Sequence, residues 1–130
     1  MKVRAYQCDS YGHVNNARYL EFFEEARWQL ISLSDLDNYL KDNKLGMVVV
    51  RILVNYKRPA VPNDIIHIDA KLGEIGNSSF TIHQQINLDS GDLIATAEVK
   101  CVVINLTNNR PQKISETLGK HLNNAAKKNI

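Results

Sequence analysis

Apolar residues recur at helical spacing in one segment of the chain and alternate in two others. Tyr19, Phe22, Phe23, Ala26, Leu30 and Leu33 follow the i, i+3, i+4, i+7 rhythm of one helical face, with Arg18, Glu21, Glu25 and Gln29 on the other side. Leu20, Trp28 and Ile31 widen the stripe, which predicts a helix wrapped by other structure and not laid on a surface. Asn15 or Asn16 can cap its start. Asn15 is preferred, because it places Val14 just before the cap and Tyr19 at the fourth helical position, the pair that packs as a hydrophobic staple.

Ile66, Ile68, Ala70 and Leu72 interleave with His67, Asp69 and Lys71, and Phe80, Ile82, Ile86 and Leu88 interleave with Thr81, His83, Gln85 and Asn87. Each run reads as a strand with one buried face, which leaves His67 and His83 in solvent. Residues 47–56 are dense in β-branched side chains and end before Pro59 and Pro62, so they read as a further strand. Residues 73–77 supply one connection, and Asp89-Ser90-Gly91-Asp92 supplies a turn into a long last strand over 93–106.

Residues 2–7 read as a short opening strand, 35–43 as a short helix or loop ending at Gly46, and Ile114, Leu118, Leu122 and Ala125 as a terminal helix capped by Ser115. The predicted order is a strand, a long buried helix, four strands in meander-like succession and a small closing helix. That order predicts an α+β fold in which one antiparallel sheet curls around one helix. Such a sheet has edges, and the apolar run at 47–54 needs cover, so an edge-to-edge dimer is expected.

At 130 residues the chain is long enough for one domain over 1–130 and too short for two. Its 44% hydrophobic and 23% charged residues are ordinary for a soluble protein. A net charge of +2 offers no argument for a nucleic-acid partner. No apolar run reaches spanning length and no signal-peptide order opens the chain, so no membrane partner and a cytoplasmic location are expected. Cys8 and Cys101 are too few and too far apart for a disulfide framework or a metal site, and read as free thiols. Cys8 is a poor nucleophile beside Asp9, because a neighbouring carboxylate opposes thiolate formation. No histidine, cysteine or carboxylate cluster has metal-ligand spacing and no Gly-rich phosphate loop is present, so neither metal nor cofactor is expected.

The segment with the most chemical content is Asp9-Ser10-Tyr11-Gly12-His13-Val14-Asn15-Asn16, which sets a carboxylate a few residues ahead of a helix start. A carboxylate base and a helix N-terminus, with its unpaired N–H groups and positive dipole end, are what acyl transfer requires. With Asn15 as cap, the Asn16 N–H is left to meet an anion, and Gly12 suits a turn that brings Asp9 back to that point. Asp9 is the candidate base, although aspartates at such positions also serve as turn or capping residues. His13 can position Asp9 or a substrate, or simply hold the turn. Tyr19 reads as core before site, and Glu24 and Arg27 as an i, i+3 ion pair on the helix.

The same residues carry a resemblance. Asp9-x-x-Gly12-His13-Val14-Asn15-Asn16, followed by Tyr19, Phe23, Glu25-Ala26-Arg27 and later by Asn55-Tyr56-x-Arg58-Pro59, is similar to the hot-dog-fold acyl-CoA thioesterases of the 4-hydroxybenzoyl-CoA thioesterase type. The strings NNARYLEFFEEARW and VNYKRPAV look most like the bacterial long-chain acyl-CoA thioesterases known as thioesterase III. The resemblance implies a hot-dog fold, Asp9 as catalytic carboxylate, the backbone N–H near Asn16 as carbonyl-polarising group, an acyl-CoA substrate, no cofactor, and a homodimer or homotetramer. It also brings Lys57 and Arg58 forward as contacts for coenzyme A phosphates, ahead of Arg51 and Lys100. Because other hot-dog lineages carry their acidic residue on the helix, Glu21, Glu24 and Glu25 are alternative catalytic carboxylates. Gln7 departs from the acidic residue that many members carry two positions before the aspartate, which argues against aryl-CoA specificity. Alternative functions are hydrolysis of aromatic acyl-CoA or of acyl groups on acyl carrier protein, and acyl-CoA binding without turnover.

Overall fold

The computed structural model describes residues 1–32 and 35–126. Leu33, expected on the helical face, lies outside them. Helix α1 spans Asn16–Ser32 and α2 Leu36–Asp42; strands β1 to β4 span Leu45–Tyr56, Ile66–Ile75, Ser79–Leu88 and Leu93–Asn105. A two-residue strand β5, Arg110–Pro111, pairs with the end of β4, and α3 spans Glu116–Ala126. One face of the antiparallel sheet carries Ile66, Phe80, Ile82, Ile86, Val99 and Val103, all buried, and α1 lays Tyr19, Phe22, Phe23, Ala26 and Leu30 into the same core. Removing each large side chain from water contributes roughly 1.5–3 kcal/mol, so this helix–sheet seam is the main source of stability. The expected antiparallel sheet around a long helix is the fold observed.

Both helix caps are as the sequence predicts. Asn15 Oδ1 accepts the Ala17 N–H at 2.9 Å and Ser115 Oγ accepts the Leu118 N–H at 3.1 Å, each satisfying an otherwise orphaned donor. Residues 35–43 resolve as α2 because Leu36 and Leu40 share one buried face.

Five expectations are corrected. The opening residues 2–7 form no strand: Ala5–Gln7 is a 3₁₀ turn, and the flanking chain makes only single bridges, Lys2 with Ile65 and Cys8 with Val14. The Gln7 side chain closes this turn by accepting the Arg4 N–H at 2.9 Å. The four long strands are not a simple meander, since the sheet order is β1-β4-β3-β2. The segment between β1 and β2 contains Pro59 and Pro62 and is too long for a hairpin, so β1 pairs with β4 and stands at an edge. Strand β2 continues through Gly73 to Ile75 by way of a bulge, which shortens the expected 73–77 connection.

The fourth correction concerns Arg27. It makes no ion pair with Glu24; it is buried, and its Nη1 donates to Gln84 Oε1 at 3.0 Å while the Gln84 amide donates to the Phe23 carbonyl at 3.0 Å. Burial lowers the guanidinium from its ordinary value, with Cys101 and Glu24 pulling it back. Glu24 instead accepts from the Trp28 indole at 3.4 Å. Leu20 and Trp28, expected under cover, are 41% and 58% exposed on the single chain.

Gln84→Leu takes from a buried guanidinium its acceptor and from Phe23 its donor. A loss of about 1.5–3 kcal/mol in unfolding free energy is expected, read from the urea midpoint at constant slope. A change under about 0.5 kcal/mol would show that the Arg27–Gln84 bond is not a structural tie.

Candidate active site

Asp9 opens a tight turn that folds back on itself. Its backbone N–H donates to the His13 carbonyl at 2.8 Å, its carbonyl accepts the Gly12 N–H at 3.0 Å, and Oδ1 accepts the N–H of Tyr11 at 2.9 Å and of His13 at 3.4 Å. Gly12 sits at φ +75°, a backbone region that costs any residue with a Cβ. One carboxylate oxygen is thus held by backbone donors, and Oδ2 has no hydrogen-bond partner among the described residues. The turn role that competes with catalysis for this residue is real and occupies only half of the carboxylate.

The chain then enters α1 under tight control. The Val14 N–H donates to the Ala60 carbonyl at 2.9 Å and the Asn15 N–H to the Gln7 carbonyl at 2.9 Å. Asn15 uses its side chain on Ala17 and its carbonyl on Arg18, so the Asn16 N–H has no acceptor among the described residues. It faces outward at the positive end of the helix.

From the other side, the end of β1 and the loop after it complete a cleft of about 340 Å³. Asp9, His13, Asn16, Lys57 and Arg58, the leading candidates of the sequence, line it together with Tyr56, whereas Arg51 and Lys100 do not. Tyr19 stands in its wall, buried, with the Ala60 N–H donating to its hydroxyl at 3.2 Å and the Tyr56 ring at 5.3 Å, edge to face. Burial raises the Tyr19 phenol above its usual value, in part offset by the Ala60 bond, so it stays a neutral wall residue. His13 is exposed, and its hydrogen bonds to Asp9 run through its backbone. Arg58 pairs with Asp92 at 3.0 Å, whereas Lys57 has no ion-pair partner among the described residues.

Two contributors escape sequence reading. Tyr56, visible in the sequence only as part of a motif, sends its hydroxyl to the Asn16 carbonyl at 3.5 Å and ties β1 to the helix start. Gln84 is detectable as the one polar residue in the apolar register Phe80, Ile82, Gln84, Ile86. The alternative carboxylates Glu21, Glu24 and Glu25 lie along α1 and line other surfaces, not this cleft. His67 and His83 are exposed as expected, paired with Asp89 at 2.8 Å and Glu74 at 3.6 Å.

The model of the thioesterase-like superfamily matches residues 3–122. The long-chain acyl-CoA thioesterase FadM of Escherichia coli is 38% identical over 128 residues, 98% of this chain and 97% of the relative. The crystal structure of YbaW, a probable thioesterase from Escherichia coli, superposes with a TM-score of 0.93 at 38% identity, covering 98% of this chain and 96% of that one. A thioesterase from Thermus thermophilus, solved with coenzyme A and zinc, superposes with a TM-score of 0.80 at 25% identity over 98% of this chain and 92% of that one.

Proposed function

The chain belongs to the thioesterase-like superfamily, and on that premise we propose that it hydrolyses long-chain fatty acyl-CoA to the free acid and coenzyme A at the cleft where α1 begins. The observation that carries this reading is the meeting of a half-occupied carboxylate, Asp9, with an unengaged helix N–H, Asn16, in one cleft.

The thioester carbonyl oxygen points at the Asn16 N–H, whose dipole end stabilises the negative charge that develops on it. Asp9 delivers oxygen to the carbonyl carbon, either by taking a proton from water or by attacking through Oδ2 to form an acyl anhydride that water then opens. The C–S bond breaks and the coenzyme departs as thiolate. No step calls for a metal or cofactor. Lys57 at the rim meets the coenzyme's phosphates, with Arg58 held back in part by Asp92. Among the described residues no helix is long and apolar enough to cross a membrane, and a cytoplasmic site of action fits this reading.

The edge strand supports an assembly of at least two copies. Strand β1 has a partner on one side only, and Val48, Val50 and Leu53 stand 41%, 55% and 44% exposed along it. Pairing two such edges extends the sheet across a dimer and removes an aggregation-prone ladder from solvent. Light scattering at micromolar concentration should give at least twice the 14.7 kDa chain mass. A fully active monomer would contradict the assembly.

Asp9→Asn keeps the hydrogen-bond acceptor that holds the turn and removes the base. It should lower kcat on hexadecanoyl-CoA by about 10²–10⁴-fold with an unchanged urea midpoint. Wild-type kcat in this variant would remove Asp9 from the chemistry.

A further inference from the structure

The sheet face turned away from α1 carries a group of side chains that the acyl-transfer cleft does not use. Ile82 and Gln84 on β3 and Ala97 and Val99 on β4 are buried, and the Gln84 amide bonds to α1. Alternation therefore sends His83 and Glu98 to the opposite face, where they stand in register as cross-strand neighbours. Glu74 joins them from β2. On that strand Leu72 is in register with Ile82 and Ile75 with Phe80, so Gly73 and Glu74 together oppose Thr81 in a bulge. Strict alternation would put Glu74 on the core side with Leu72, and the extra residue turns it outward. One donor atom from each of Glu74, His83 and Glu98 lies within 4.8 Å of the other two, and His83 Nε2 stands 3.6 Å from Glu74 Oε2. We propose that these three residues bind one divalent first-row transition ion, such as zinc, which ties β2, β3 and β4 together.

Two features point to a bound cation and not to a solvated patch of charge. The first is an uncompensated repulsion. Two carboxylates this close repel, yet Lys71, in register with His83, and Lys100, in register with Thr81, form no ion pair with either of them among the described residues. The second is the seat of the imidazole. A Cβ at position 73 would meet His83 Cδ2 at 2.5 Å and Nε2 at 2.6 Å, so the ring lies over Gly73 where any side chain would displace it. A glycine weakens the interior of a strand, and here it admits a donor turned toward Glu74.

The donor set selects the ion. One imidazole nitrogen and two carboxylates suit zinc and its first-row neighbours, whereas magnesium and calcium take oxygen ligands. Ligands about 2.0–2.2 Å from a tetrahedral zinc stand roughly 3.3–3.6 Å apart, so His83 and Glu74 already have the spacing, and rotation of the exposed Glu98 side chain brings in the third. His83 and Glu98 also line a concavity of about 290 Å³ with Asn55, Gln85 and Thr96, which leaves room for water at the remaining position. Ligand spacing along the chain gives no sign of this group, because residues 74, 83 and 98 meet only through strand register. The ion takes no part in the chemistry of the cleft, so the proposal is independent of the thioesterase reading.

The test is zinc binding to the metal-free full chain in wild type, Glu98→Gln and Gly73→Ala, followed by titration calorimetry and by the thermal midpoint. Glu98→Gln removes one charged ligand; Gly73→Ala keeps all three donors and displaces only the ring. Zinc sulfate should bind wild type at one ion per chain and, at tenfold excess over its Kd, raise Tm by roughly 5 °C. Millimolar magnesium chloride should leave Tm in place. Each variant should bind zinc at least about 10-fold more weakly. A wild type whose Tm does not respond to zinc, or wild-type affinity retained in either variant, would overturn the site.

Discussion

The geometry of the candidate site depends on how one helix begins. Asn15 caps α1 with its side chain and leaves the next amide without an internal acceptor, which is the usual deficit of a helix N-terminus put to use. The deficit has value only if something else is held beside it. Gln7 and Ala60 fix the chain on either side through backbone bonds to Asn15 and Val14, and the Asp9 turn and the end of β1 are thereby drawn to the same point. Tyr19 and Tyr56, packed edge to face, fill the space behind. Preorganisation of this kind places donors before charge develops, which is where most electrostatic stabilisation in catalysis originates.

The same helix organises the rest. Its core-facing side packs on the sheet, and its Arg27 spends a buried cation on joining helix to strand through Gln84.

Much of this is legible in the sequence because the signals are local. The caps and the alternating strands depend on neighbours a few residues away, and the residues of the motif fold into one cleft because a turn and a helix start are adjacent in the chain. What escapes is non-local. Residues 2–7 have the composition of a strand, yet the neighbouring chain offers only single bridges, so they close into a 3₁₀ turn. The placement of β1 beside β4 is decided by the length of a proline-bearing connection, not by the strand's own pattern. Arg27 looks like a partner for Glu24 by spacing alone, but the buried Gln84 on a distant strand offers a better-satisfied bond. Nor does the helix's broad apolar circumference predict that Leu20 and Trp28 stand exposed on the single chain.

The central claim is that the Asn16 amide receives the carbonyl oxygen of the substrate. Amide NMR on the labelled protein tests it directly, using a hexadecanoyl-CoA analogue in which a methylene replaces the thioester sulfur, so that the carbonyl is kept and cannot be cleaved. The Asn16 N–H resonance should move downfield on saturation, by more than the already engaged amides of Ala17 and Arg18. A complex in which other amides report binding while that of Asn16 stays in place would contradict the claim.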